Sequence, residues 1–171
     1  MIVVGIDPGL NGACAFINAR GEVAIADLPT VPLEGNGLVK RRLDGRGFAL
    51  VMRAHCPADE PVFVACEAVH AMAGKNNALQ TQAALVGVLR AIEAVLDVLR
   101  LKPTMVQPQT WQAFYGLRGK KTEAKAPGQR SPNLQKACAL YPAAAHMLAR
   151  EKDHNKAEGL LIAHYARERL V

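Results

Sequence analysis

Residues 1–18 read MIVVGIDPGLNGACAFIN, and the fold of the chain turns on them. Met1 to Ile6 is a β-branched apolar run, the composition of a strand. Turn formers interrupt it at Asp7-Pro8-Gly9-Leu10-Asn11-Gly12, after which Ala13 to Asn18 makes a second strand. Arg20-Gly21 marks another turn, and Glu22 to Leu28 a third strand that alternates in part. Three successive strands joined by tight turns form an antiparallel meander.

Working outward, Pro29 to Gly37 reads as a loop and Gly47 to His55 as a helix. Pro61 to Glu67 (PVFVACE) is a short continuous apolar run, the pattern of a strand buried on both faces. A loop is expected over Ala68 to Asn77, then a long helix over Ala78 to Leu101 with apolar residues at Leu85, Val88, Leu89, Ile92 and Leu96. Thr104 to Val106 gives a further strand, and Pro108 to Tyr115 a short helix. Gly119 to Pro132 combines Gly, Pro, Lys and Arg without apolar periodicity, which predicts a mobile basic loop. Helices then run over Asn133 to Leu140 and His154 to Arg169. This order predicts one α/β domain over residues 1–171, its sheet part antiparallel and part parallel.

Half of the residues are apolar, yet no uninterrupted apolar run is long enough to cross a bilayer. The N-terminus lacks the features of a signal peptide, so a soluble intracellular protein is expected. The four cysteines are scattered singly, which argues against structural zinc and for reduced thiols. The net charge is +6 and the pI about 9.4, with basic clusters at Lys40-Arg41-Arg42 with Arg46 and across Arg118 to Arg130. An anionic partner, nucleic acid first, fits this charge.

Carboxylates carry the chemical signal. Asp7 ends the first strand, where α/β sheets bind ligands, although Asp before Pro-Gly also simply starts a turn. Glu67 closes an apolar strand, where an ionised side chain needs solvent, a partner or a metal. Lys152-Asp153-His154-Asn155-Lys156-Ala157-Glu158 opens the last helix. Asp153 is placed to cap it, and His154 and Asn155 share a face with Glu158. Oxygen ligands from separate elements suit Mg²⁺ or Mn²⁺, and two such ions roughly 3.5–4 Å apart serve phosphodiester hydrolysis.

These motifs resemble the RuvC-type Holliday junction resolvases. GIDPGLNGACAFI is similar to their first two strands, VACEAVHAM to their second acidic strand and its loop, and DHNKAEGLLIAHY to the acidic helix of the phage and prophage branch. QPQTWQAFYGLRGKK resembles the segment that precedes that helix. The resemblance implies an RNase H-like fold, a five-stranded mixed sheet with helices on both faces. It implies Mg²⁺-dependent cleavage of four-way or otherwise branched DNA, with Mn²⁺ able to substitute. The enzyme would be a homodimer in the cytoplasm of a bacterial or phage-infected cell.

By matching position, Asp7, Glu67 and Glu158 are implied metal ligands. The fourth ligand of the family precedes the last acid by three or four residues, where this chain has Asn155 and His154. Asp153 is favoured for that role, with His154 as an alternative ligand or water-orienting base. In the family the loop after the second acid enters the junction. Here His70 and Met72 are its large residues and Lys75 a phosphate contact, although Met72 also suits packing under the loop. Lys120, Lys121, Lys125 and Arg130 would track the DNA backbone, or else decorate a solvated loop. Two other functions share this fold: a junction binder without turnover, and an RNase H-type nuclease of RNA–DNA hybrids. A loose likeness of DPGLNGACAF to the phosphate loop of sugar kinases fits poorly, because those proteins need far more chain.

Overall fold

The apolar runs at the N-terminus form β1 (Ile2–Asp7), β2 (Ala13–Ile17) and β3 (Val23–Asp27), paired antiparallel in sequence as a meander. This is seen in a computed structural model that describes residues 1–34, 39–69, 79–117 and 130–171. A small ribbon follows, β4 (Thr30–Pro32) with β5 (Arg41–Leu43), and then α1 (Gly45–His55), β6 (Val62–Glu67) and α2 (Leu79–Val98). The chain continues through β7 (Pro103–Val106), α3 (Pro108–Phe114), α4 (Pro132–Leu140), two 3-10 segments (Pro142–Leu148 and Glu151–Asp153) and α5 (His154–Arg169). The main sheet has the order β3-β2-β1-β6-β7, with β6 parallel to β1 and β7 parallel to β6. The mixed five-stranded sheet expected from the sequence is therefore present.

Two elements depart from expectation. The loop expected over Pro29 to Gly37 contains β4, because β-branched Thr30 and Val31 pair with Leu43 and Arg42 across the ribbon. The long helix stops at Val98 rather than Leu101. Arg100 takes a left-handed φ of 58°, the Leu101 N–H returns to the Leu96 carbonyl and the Arg100 N–H to that of Asp97. This is a Schellman closure without its usual glycine, so no sequence signal announced it.

Strand alternation sorts the core into two layers. Ile2, Val4 and Ile6 of β1, with Val64 and Cys66 of β6, face α1 and α2 through Phe48, Met52, Ile92 and Leu96. Val3 of β1 and Ala65 of β6 face the other way, onto Trp111 of α3, Leu134 of α4 and Leu160 to Ala163 of α5. By the same parity, Asp7 and Glu67 belong to the α5 side. All four cysteines are free, and burial pushes the Cys14 thiol up to about 12. Among the described residues, no helix is long and apolar enough to cross a membrane.

α5 lies directly on β1. A Cβ at Gly5 would collide with the Ala163 nitrogen and the Gly159 carbonyl, and one at Gly159 would stand 3.1 Å from the Ala13 carbonyl. These glycines let helix and strand backbones touch. Gly5→Ala should therefore force the helix off the sheet and cost about 1–3 kcal/mol or more. Gly87→Ala is the control, since a Cβ there meets nothing within 4 Å on α2. It should raise stability by about 0.5–1 kcal/mol. Urea or thermal melts of the two variants check both signs.

Candidate active site

Three carboxylates gather where β1, β6 and α5 meet. Ile6 pairs with Cys66, so Asp7 and Glu67 occupy the next step of adjacent parallel strands. Such strands run roughly 4.8 Å apart. Glu158 lies one turn into α5, directly before Gly159, where the helix rests on the sheet. Burial pushes the Asp7 carboxyl well above the usual range, and the charges of Glu158 and then Glu67 push it further. Burial also raises Glu67 and Glu158, and the charge of Glu158 adds to the rise at Glu67. The three acids thus repel one another across one shared space.

Neutral donors hold the two glutamates in place. The Trp111 Nε1–H donates to Glu67 Oε1 at 2.8 Å, and the Asn133 Nδ2–H donates to Glu158 Oε1 at 2.7 Å. Both bonds oppose the upward shifts. The sequence reading missed both partners. Trp111 is the only tryptophan and is fully buried, and a buried indole N–H normally finds an acceptor. Asn133, in the first turn of α4 behind the Ser131 cap, gave no comparable signal.

At the start of α5 the structure separates residues that the sequence had left together. Asp153, favoured as the fourth ligand, is buried against cations instead. Its Oδ1 takes the Arg150 guanidinium at 2.7 Å and faces Lys156 Nζ at 3.7 Å, while Oδ2 accepts the Arg150 backbone N–H at 2.8 Å. It stands at the N-cap position of α5, yet its side chain makes no capping bond there. His154 is exposed, and its charge acts on Glu158 one turn on. Asn155 turns aside to donate to the Asn11 carbonyl at 2.7 Å, tying α5 to the loop after Asp7.

Of the remaining expected contacts, Arg130 is exposed just before α4, with Nη1 3.8 Å from Cys138 Sγ. It is not among the groups that perturb the three acids. His70, Met72, Lys75, Lys120, Lys121 and Lys125 lie outside the described residues.

Oxygen donors on three separate elements are the donor set of a hard divalent cation. As they stand, no three or more His, Cys, Asp or Glu among the described residues are drawn together closely enough to hold a metal ion. Holding a metal would require the three acids to draw closer than they stand, against the bonds from Trp111 and Asn133.

The ion pair at Asp153 gives a pH prediction. Arg150 holds this carboxyl down to about 2, below its ordinary 3.8. A lowered acid stabilises the fold above its unfolded value, and that stability is lost as pH falls from about 4 through 2. Asp153→Asn should cost about 1–2 kcal/mol at pH 7, with half-exposed Arg150 limiting the gain. The difference from wild type should shrink through this range and vanish only below about pH 2, as melts across it would show.

The sequence matches no family model and no curated protein. Solved structures do match. Thermus thermophilus RuvC in complex with a Holliday junction substrate aligns at TM-score 0.53 and 14% identity, over 99% of this chain and 97% of that one. A second T. thermophilus RuvC structure aligns at TM-score 0.47 and 16% identity, over 98% and 96%. With the β3-β2-β1-β6-β7 sheet and helices on both faces, the first alignment identifies the fold as the RNase H-like α/β fold of RuvC.

Proposed function

We propose that this chain is a metal-dependent endonuclease that cuts four-way junctions or other branched DNA. The observation that carries the reading is the convergence of Asp7, Glu67 and Glu158 into one mutually repelling cluster at the C-terminal ends of β1 and β6. Burying three acids together costs stability, and function is the usual reason such a cost persists. The similarity to a RuvC bound to a Holliday junction supports the choice of DNA as substrate. The basic net charge of +6 points the same way.

In this reading Asp7, Glu67 and Glu158 hold Mg²⁺, or Mn²⁺ in its place. A bound pair of such ions supplies Lewis acidity and an activated water for phosphodiester hydrolysis. The protein's own part is positional. β1 and α5 fix the acids through a backbone contact, and Trp111 and Asn133 orient the glutamates. The fourth position falls to His154, exposed one turn before Glu158, and not to Asp153, which is committed to Arg150. The protein works as a homodimer, because nicking two opposed strands needs two acid clusters. Its place is the cytoplasm of a bacterial or phage-infected cell, where branched DNA arises.

The engagement of Asp153 by Arg150 also favours a second reading, a junction binder without turnover, since it leaves three carboxylates for the metal site.

Labelled four-way junction, matching duplex and RNA–DNA hybrid, each with Mg²⁺ or EDTA, separate these functions. Nicking of the junction with Mg²⁺ alone is expected. Binding without nicking selects the silent binder, and preference for the hybrid selects an RNase H-type enzyme. Asp7→Asn and Glu67→Gln should abolish cleavage while keeping junction binding. His154→Ala should slow it about 10–100-fold. Asp153→Asn should cut at near wild-type rate well below its melting temperature, and a loss as deep as that of Asp7→Asn would restore Asp153 as a ligand. Cation binding has its own readout: Mn²⁺ at about 100 times its dissociation constant should stabilise the wild type by roughly 2.7 kcal/mol. Asp7→Asn should melt higher than wild type without cation and gain little from adding it.

A further inference from the structure

We infer that the cleft between the β4–β5 ribbon and the start of α5 seats a backbone phosphodiester, with Arg41 and Lys152 as its cations. The inference rests on the DNA-binding part of the proposed function and adds the side of the acid cluster along which the DNA strand is held. The cleft has a volume of about 620 Å³, and the Asn11–Gly12 turn that follows Asp7 is part of its lining. β2 and β3 lie on one side of β1, and β6 with Glu67 on the other. The cleft takes Asp27 and Leu28 from the end of β3, so it opens on the side of Asp7 away from Glu67. A strand crossing the acids leaves them over this cleft.

Its charges are arranged for an anion. Arg41 Nη2 donates to Asn11 Oδ1 at 2.7 Å, and Nη1 to Thr30 Oγ1 at 3.3 Å. Both acceptors are neutral, so they aim the guanidinium without cancelling its charge. Lys152 lines the cleft from the 3-10 turn before α5. The cleft also holds two carboxylates, Asp27 and Asp153, and each is already answered. Lys156 lies 3.2 Å from Asp27 and 3.7 Å from Asp153, and Arg150 lies 2.7 Å from Asp153. Among the described residues, neither Arg41 nor Lys152 has a carboxylate at ion-pair distance. The pair therefore leaves uncompensated positive charge, and an oriented guanidinium fork matches phosphate oxygens well. Arg41 is linked through Asn11 to α5, because the Asn11 backbone carbonyl accepts the Asn155 amide. The simpler role for Arg41 is to fasten the ribbon to the Asn11 loop, and the experiment separates the two.

The test measures four-way junction and duplex binding in EDTA over a salt series, for wild type, Arg41→Ala, Arg41→Lys and Lys152→Ala, with a melt of each. Each alanine variant should weaken binding several-fold and reduce the log–log salt slope by about 0.9, the value for one duplex phosphate contact. Arg41→Lys should keep the wild-type slope and lose part of the affinity with its fork. Lys152 makes no hydrogen bond or ion pair within the described fold, so its variant carries the test if Arg41→Ala melts low. Unchanged slopes in both alanine variants overturn the inference. So does an Arg41→Ala that loses stability and affinity at constant slope, which would make Arg41 a scaffold bond. A wild type that binds DNA in EDTA but never cuts with Mg²⁺ removes the nuclease reading and leaves this one standing. A wild type that binds no DNA removes both.

Discussion

The contact on which the rest depends is the one between bare backbones at Gly5 and at the Gly159–Ala163 turn of α5. A helix normally stands off a sheet by the thickness of two side-chain layers. Here the layer is missing at one point, and α5 sinks onto β1 and β2. Ala157, Gly159, Leu160, Leu161, Ile162, Ala163 and Ala166 are all buried as a result. Glu158 is carried to the sheet by this packing, and Asp7 is two residues along the same strand from Gly5. The acid cluster is thus assembled at a point where helix and strand backbones are in direct contact.

That packing sets opposing electrostatic terms against each other. Asp7, Glu67 and Glu158 have carboxyls raised by burial, and the folded state therefore holds protons that the unfolded chain releases. Their contribution to stability falls as pH rises through the carboxylate range toward neutrality. Asp153, held low by Arg150, works in the opposite direction. The two kinds of acid sit within six residues of one another on α5 and its approach. One is spent on structure and the other is kept under strain. The hydrogen bonds from Trp111 and Asn133 relieve that strain only in part, since both glutamates remain raised.

Much of this was legible in the sequence. Apolar runs and turn formers marked the meander and the buried strand. Asp7 and Glu67 each ended an apolar strand, so they could converge if the strands were neighbours, and the pairing of Ile6 with Cys66 makes them so. What could not be read was which residue near Glu158 would join the acids. Asp153 and His154 are adjacent, and helical spacing alone allows either a cap or a ligand. The structure engages Asp153 with Arg150, which precedes it by three residues and bonds both its carboxylate oxygens. Such a bond depends on the 3-10 turn at Glu151–Asp153, a conformation with no strong sequence signature. The ribbon of β4 and β5 escaped notice for a related reason. Strands of three residues carry too few positions for a period to show.

The separation of charge has a consequence for how such a protein handles DNA. In the proposed nuclease, three clustered carboxylates would repel a phosphodiester at the very place where it is to be cut. Attraction would then come from elsewhere, and on the β3 side Arg41 and Lys152 are placed to supply it from a cleft whose own acids are already paired. Holding the strand and neutralising the acids are then distinct tasks performed by distinct residues. Long-range attraction to the cleft weakens steeply with salt, because surface charges are screened within a Debye length of about 8–10 Å. Repulsion inside the half-buried acid cluster is screened far less. Raising salt therefore weakens the hold on DNA before it eases the acids, and only a cation bound among them removes that barrier directly.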